Sequence, residues 1–420
     1  MEQMNSQTAR IEQEGSRTPS LYQRIVLGLL SKMTEGHIIL TLPSGESMDL
    51  GDPESPTRVS LRILDDAFFR KSVLYGDIGF AESYLDGDWE TENLPLLLKV
   101  MLMNLQALPL SGAGKSFWKV NLMKGVNRLS HVMRGNTISG SRENISEHYD
   151  LSNEFYRIWL DPSMTYSSGV FSRDTMSLEE AQEEKYDRLC RQLQLKEGEH
   201  LLEIGTGWGG MAVHAARKYG VRVTTITISK EQHAYAVQRV RNEGLDHLVD
   251  VKFQDYRTLD GQYDKLVSIE MLEAVGHAYL ETFFEVCQRV LKPHGLLAVQ
   301  VITSPDSRYK EFRKNVDFIQ KHIFPGSLLP SIDAMNRAVN KTGDMHLHHL
   351  EEFGLDYART LGVWRRTFNA SISRIKDLGF DDDFIRKWNY YLSYCEAGFA
   401  MRNISVVHMV YTRPNNTSLN

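Results

Sequence analysis

At 420 residues the chain is long enough for two domains, and 42% hydrophobic with 24% charged residues is the balance of an ordinary globular protein. A formal net charge of −6 excludes a globally basic nucleic-acid binder. The three cysteines, Cys190, Cys287 and Cys395, are too widely spaced for a disulfide framework or a cysteine metal site, so a reduced cytoplasm is the expected compartment.

Residues 1–20 are polar, lack the apolar core of a signal peptide and read as a disordered tail. Residues 21–110 read as an α+β domain for lipid docking or dimerisation, with a strand at 38–42, a turn at 43–46, a return strand at 47–50 and a helix at 61–74. The glycines and acids of residues 76–90 predict tight turns around one short helix, structural first and a partner dock second. Residues 111–145 form a basic linker, in which 117–133 approximates an amphipathic helix with a cationic face; such a helix lies on an anionic membrane or packs on the protein.

Residues 146–414 read as the catalytic domain. From 200 to 303, strands alternate with helices, which predicts an α/β, doubly wound, Rossmann-like parallel sheet. Its strands fall at 200–204, 221–227, 248–253, 263–269 and 295–303, with further strands at 345–349 and 406–412. Residues 304–343 interrupt the pattern as an insertion. With the aromatic helices that carry Trp364, Phe368, Phe380, Phe384, Trp388, Tyr390, Tyr391, Tyr394 and Phe399, it has the makings of a hydrophobic tunnel. No run of about 18 apolar residues exists, so any membrane contact is peripheral.

The first strand of that sheet breaks into Gly205-Thr206-Gly207-Trp208-Gly209-Gly210. Glycines there let a ligand approach the backbone at the carboxyl end of a strand, beside a helix N-terminus. Glu203 stands where a dinucleotide site would put phosphate, so the ligand is cationic. The second strand ends in Thr227-Ile228-Ser229-Lys230-Glu231-Gln232, polar groups for a ribose. The third ends at Asp255-Tyr256, an acid and a ring for adenine. Together they read as a site for S-adenosylmethionine. The scattered histidines His214, His233, His277, His346, His348 and His349 form no metal-ligand pattern, and no metal is expected.

Several motifs, in order, resemble the cyclopropane-fatty-acyl-phospholipid synthase family, whose members are class I methyltransferases: His148-Tyr149-Asp150-Leu151-Ser152-Asn153, Met164-Thr165-Tyr166-Ser167-Ser168, Glu203 to Gly210, Thr227 to Gln232, Glu273-Ala274-Val275-Gly276, Phe324-Pro325-Gly326, Phe353-Gly354-Leu355-Asp356-Tyr357 and Trp388 to Phe399. The resemblance implies transfer of a methylene or methyl carbon from S-adenosylmethionine to the double bond of an unsaturated phospholipid acyl chain, giving a cyclopropane. It implies a homodimer, a cytoplasmic enzyme peripheral to the inner face of the membrane, and bound bicarbonate as base. The positions matching the bicarbonate site are Ser168, Glu273, Gln300, Ile302 and Tyr357, with Ser168 and Gln300 replacing the usual cysteine and histidine. His148 joins this catalytic set through its motif, a capping or core histidine being its other reading. Tyr166 and Ser167 would lie over the methionine part of the donor, with Gly205 and Gly207 beneath it and Glu203 nearby. Thr227, Ile228 and Gln232 would meet the ribose, and Asp255, Tyr256 and Arg257 the adenine. A methylene- or methyl-branched product is the first alternative, a small-molecule methyltransferase the second, and a lipid-binding protein without catalysis the third.

Overall fold

Alternating burial shapes the strands of the smaller domain. In the computed structural model, which describes residues 19–105 and 152–419, the four-stranded sheet of the smaller domain holds β1 (His37–Thr41), β2 (Ser47–Gly51), β3 (Arg58–Ile63) and β4 (Trp89–Glu90) in the order β2-β1-β3-β4. β1 pairs parallel with β3; the other pairs are antiparallel. Three helices accompany it: α1 (Leu21–Leu30), α2 (Ala67–Leu85) and α3 (Leu94–Met103).

Two sequence expectations change here. The helix expected at 61–74 begins as strand β3, because Val59, Leu61 and Ile63 are buried while Arg58 and Arg62 are exposed, a period of two. The turns expected at 76–90 are largely the second half of α2, which breaks at Gly76 (φ 64°, ψ −132°), a backbone conformation that a glycine adopts without steric cost, and then resumes as far as Leu85. The end of the segment is fastened internally: Lys71 Nζ bridges Asp86 and Asp88 at 2.6 Å each, and Trp89 Nε1 donates to the Phe80 carbonyl at 3.1 Å.

The larger sheet holds β5 (His200–Ile204), β6 (Arg222–Thr227), β7 (Val249–Phe253), β8 (Tyr263–Ile269), β9 (Leu291–Thr303), β10 (His346–Glu352) and β11 (Ser405–Thr412), ordered β10-β11-β9-β8-β5-β6-β7. β5 to β9 are mutually parallel, and β11 alone runs antiparallel, between β9 and β10. The strand order reverses beside β5, so the crevice for a ligand opens at the carboxyl ends of β5 and β8. Around the sheet lie α4 (Asn153–Trp159), α5 (Leu178–Gln192), α6 (Gly210–Tyr219), α7 (Lys230–Asn242) and α8 (Leu280–Val290). The insertion supplies α9 (Tyr309–Lys314), α10 (Phe318–His322) and α11 (Ile332–Thr342); then follow α12 (Gly354–Ala370), α13 (Ile372–Asp377) and α14 (Asp382–Ala400).

The two domains share a hydrophobic core. Phe155 of α4 packs edge-on against Phe368, Phe384 and Trp388, and α14 carries the other face of that aromatic slab to the smaller domain, where Tyr390 meets Tyr84 at 5.6 Å. Arg386 covers the Tyr84 ring at 4.4 Å and donates to the Tyr84 carbonyl. Lys321 and His322 of the insertion both donate to Glu82 Oε1. The basic linker at 111–145, His148 and nearly all of the polar tail lie outside the described residues. No described helix is long and apolar enough to cross a membrane.

Candidate active site

One cavity of about 710 Å3 runs from the glycine bend to the smaller domain. That is ample for a ligand larger than a nucleoside. All the residues expected to hold the donor line it: Tyr166, Ser167, Glu203, Gly205, Gly207, Thr227, Ile228, Gln232, Asp255, Tyr256 and Arg257. Gly205 (φ 104°) and Gly207 (φ 52°) take conformations that bring bare backbone to the cavity wall.

The polar groups of this end are pre-set by their neighbours. Glu203 is buried on β5 and accepts a 2.6 Å hydrogen bond from Thr225 Oγ1. Burial pushes its carboxyl up to about 8, against the opposing effects of Thr225 and the Lys185 ammonium. A buried acid so poised gains from a cation placed beside it. Thr227 Oγ1 donates to Gln232 Oε1 at 3.0 Å, which fixes the ribose-side amide. Asp255 receives Arg257 in a fork, Nε at 2.8 Å and a terminal nitrogen at 2.7 Å, so its carboxylate is neutralised by its neighbour. Arg257 also lies over the Tyr256 ring. Tyr166 packs among Tyr156, Trp159 and Trp364, and its hydroxyl meets that of Tyr391 at 2.7 Å. Ser167 Oγ accepts from Lys185 Nζ at 2.6 Å.

Beyond the donor end, the cavity passes a carboxylate pair. Glu273 accepts from the Ile302 backbone N–H at 2.5 Å through Oε1, while its Oε2 is buried without a hydrogen-bond partner. Burial, together with the negative charge of Glu270, pushes Glu273 up to about 8. Glu270 itself accepts three hydrogen bonds: the Ser168 N–H (2.9 Å) and the Gln300 amide (2.8 Å) on Oε1, and the Tyr357 hydroxyl (2.6 Å) on Oε2. Burial raises its carboxyl; the three donors and Lys185 oppose this.

This arrangement bears on the bicarbonate expectation. Four of the five groups assigned to bicarbonate already serve the chain, Ser168, Gln300 and Tyr357 binding Glu270 and Ile302 binding Glu273, while Glu273 Oε2 keeps no partner. The Ser168 hydroxyl, the expected replacement donor, is spent on the Gly169 carbonyl at 2.9 Å. Ser168 and Gln300 are fully buried and stand behind Glu270 rather than on the cavity wall. The residues present do not fit a free bicarbonate.

Past the carboxylates apolar side chains share the walls with polar ones of the insertion, among them Arg308, Glu311, Lys314 and Gln320. Phe324, Leu328 and Leu329 of the insertion and Tyr391, Tyr394 and Phe399 of α14 line the cavity, Phe324 meeting Tyr391 edge-on, and Ile78, Leu102 and Leu105 of the smaller domain line it as well. Among the aromatics expected to form a tunnel, Trp364, Phe368, Phe380, Phe384 and Trp388 do not line the cavity; they build the slab behind it. Among the described residues no three His, Cys, Asp or Glu side chains gather to hold a metal ion.

A family model described as mycolic acid cyclopropane synthetase matches residues 137–409. The chain belongs to that family. It is also similar to a tuberculostearic acid methyltransferase, UfaA1, of Mycobacterium tuberculosis (strain ATCC 25618 / H37Rv), 35% identical over 91% of this chain and 90% of that one. A cyclopropane-fatty-acyl-phospholipid synthase of Escherichia coli (strain K12) is 36% identical over 84% of this chain and 87% of that one. Among solved structures, the cyclopropane synthase MmaA2 of Mycobacterium tuberculosis superposes with a TM-score of 0.61 at 30% identity, covering 65% of this chain and 98% of the other. The mycolic acid cyclopropane synthase CmaA1 with S-adenosylhomocysteine gives 0.61 at 31% identity, covering 65% and 98%. The family is one of class I S-adenosylmethionine-dependent methyltransferases, and the α/β sheet described above is theirs.

Two residues central to the site escape sequence reasoning. Glu270 is the first residue past β8, and an acid ending a buried strand of a doubly wound sheet marks the ligand edge. Lys185 lies on the apolar stripe of α5, spaced four residues from both Ala181 and Leu189, where a lysine is costly unless it is paired.

Proposed function

We propose that the protein transfers a one-carbon unit from S-adenosylmethionine to the double bond of an unsaturated acyl chain in phospholipid, forming a cyclopropane. One observation carries the reading: a single cavity joins a cation-seeking glycine bend to an apolar arm, with two buried carboxylates at the junction. The names of the mycobacterial and Escherichia coli relatives support a lipid substrate. The donor supplies an electrophilic methyl on its sulfonium. Glu203 and the glycine backbone hold the donor, Tyr166 and Ser167 cover its methionine part, and the apolar arm excludes water from the carbocation that alkylation creates. The acyl chain reaches the site from a membrane surface, to which the protein binds peripherally as a homodimer.

The test is incubation of the purified protein with S-adenosylmethionine and vesicles of unsaturated phospholipid. The expected result is release of S-adenosylhomocysteine, a mass gain of one CH2 in the lipid and loss of its olefinic proton signals. Absence of release with every unsaturated lipid, or turnover of a soluble substrate without lipid, overturns the reading. A methylene- or methyl-branched product is the second reading, favoured by the name methyltransferase on the relative that matches 91% of this chain; a surviving alkene signal or a new branch methyl marks it.

A further inference from the structure

We propose that Glu270 is the base of the reaction, a carboxylate of the chain standing where the family resemblance leads one to expect a bound bicarbonate. The inference rests on the alkylation reading above.

Three observations support it. The first is position. Glu270 lines the cavity beside Glu273, Ile302 and Tyr357, at the junction between the glycine bend and the apolar arm. Its backbone has φ 49°, unusual for a residue with a side chain, and is pinned there by its N–H, which donates to the Gln300 carbonyl at 2.8 Å. Such a conformation persists only where the surroundings impose it, and it aims the carboxylate off the strand end.

The second is acceptor geometry. A carboxylate offers about four acceptor positions. The Ser168 N–H and the Gln300 amide take both on Oε1, and the Tyr357 hydroxyl takes one on Oε2. One position on Oε2 remains to receive a proton. The three donors stabilise the ionised form, whereas neighbouring Glu273 has a single backbone donor and the repulsion of Glu270. The two carboxyls therefore differ in role: the three donors favour the charged, basic form of Glu270 against its burial, whereas burial and the charge of Glu270 favour neutral Glu273.

The third is exclusion. Glu270 covers Ser168 and Gln300, both fully buried, so an added anion cannot reach those two donors and would face a like charge.

The step balances without a further reactant. The alkene π pair bonds to the donor methyl as the sulfur–carbon bond breaks, leaving S-adenosylhomocysteine and a carbocation on the other alkene carbon. Glu270 Oε2 takes a proton from the transferred carbon, and that C–H pair closes the third side of the ring. A proton taken from an adjacent chain carbon gives an alkene instead. The neutral Glu270 carboxyl returns its proton to water as the product leaves.

Wild type, Glu270→Gly and Glu270→Gln are compared in CO2-free buffer with and without added bicarbonate, with S-adenosylhomocysteine affinity as the check that each variant is folded. The wild-type rate is expected to change less than about twofold with bicarbonate, and Glu270→Gly to lose about 10²–10⁴-fold, the usual contribution of a general base. Bicarbonate entering the vacated space restores at least about tenfold to Glu270→Gly and nothing to Glu270→Gln, whose amide fills the site; a merely structural role would show no such rescue. A wild-type requirement for bicarbonate, or Glu270→Gln within about threefold of wild type, overturns the proposal. A second readout needs no lipid: the 13C-bicarbonate resonance broadens with Glu270→Gly and not with wild type. If wild type alkylates no lipid, the functional reading fails separately, and broadening by wild type still overturns the Glu270 assignment.

Discussion

His408 sets the direction in which Gln300 points. The two residues face each other in register across β11 and β9, and the His408 imidazole lies 2.9 Å from Gln300 Oε1 through Nε2. Burial lowers the His408 pKa well below its usual value, so the ring is neutral and its Nε2–H donates. The amide oxygen is thereby occupied, and the amide nitrogen is left to donate to Glu270.

Gln300→Ala removes one of the three donors that favour the ionised Glu270. A hydrogen bond to a charged group is worth about 1.5–3 kcal/mol, so turnover at neutral pH is expected to fall by about 10–150-fold. The Glu270 carboxyl rises further, and the acid limb of the rate profile moves to higher pH. A pH–rate profile that keeps its acid limb in place argues against this coupling.

Glu273 supplies the opposite limb. Its carboxyl, raised to about 8 by burial and by Glu270, is neutral below that pH and becomes a second negative charge above it. The rate is expected to decline as pH rises through about 8, and Glu273→Gln, which cannot ionise, to flatten that decline. Initial rates on unsaturated vesicles across this range check it.

Donor binding is linked to protons through Glu203. The unliganded carboxyl titrates at about 8 because burial outweighs Thr225 and Lys185, whereas a bound sulfonium and ammonium favour the ionised form. Binding below that pH therefore expels a proton, and affinity rises by about tenfold per pH unit until Glu203 is ionised in the free protein. The raised carboxyl also makes unliganded stability fall as pH climbs through about 8, so the ligand-induced gain in Tm widens with pH. Calorimetry with S-adenosylhomocysteine in buffers of different ionisation enthalpy reads the proton directly, and Glu203→Gln is expected to abolish the linkage.

The seam between the domains depends on Arg386. Its guanidinium covers the Tyr84 ring and satisfies the Tyr84 carbonyl. Arg386→Ala removes this donor while the Gly87 N–H still serves the carbonyl, so the cost is that of one hydrogen bond, about 0.5–1.5 kcal/mol. Thermal unfolding is expected to show a lower Tm with S-adenosylhomocysteine affinity unchanged, because the seam lies on the far side of α14 from the glycine bend.

The larger sheet was legible because its strands are short apolar runs ending in glycine or polar turns, and the donor half of the site follows from those ends. The smaller domain was less legible. Residues 61–74 begin with strand periodicity and turn helical only at Ala67, and the glycines of 76–90 mark a kink inside a helix as readily as a loop. Glu270 was missed for a related reason. Its importance lies in partners thirty or more residues away, Ser168, Gln300 and Tyr357, and no local pattern announces that they converge on one carboxylate.

Ile78 and Leu105 sit at one end of the cavity and Gly205 at the other, on two parts of the chain that share one core. A long hydrocarbon lying between them acts as a dowel: its atoms replace water on both sides of the joint and resist separation of the halves. Under the proposed function, loading the acyl chain and stiffening the joint become one event.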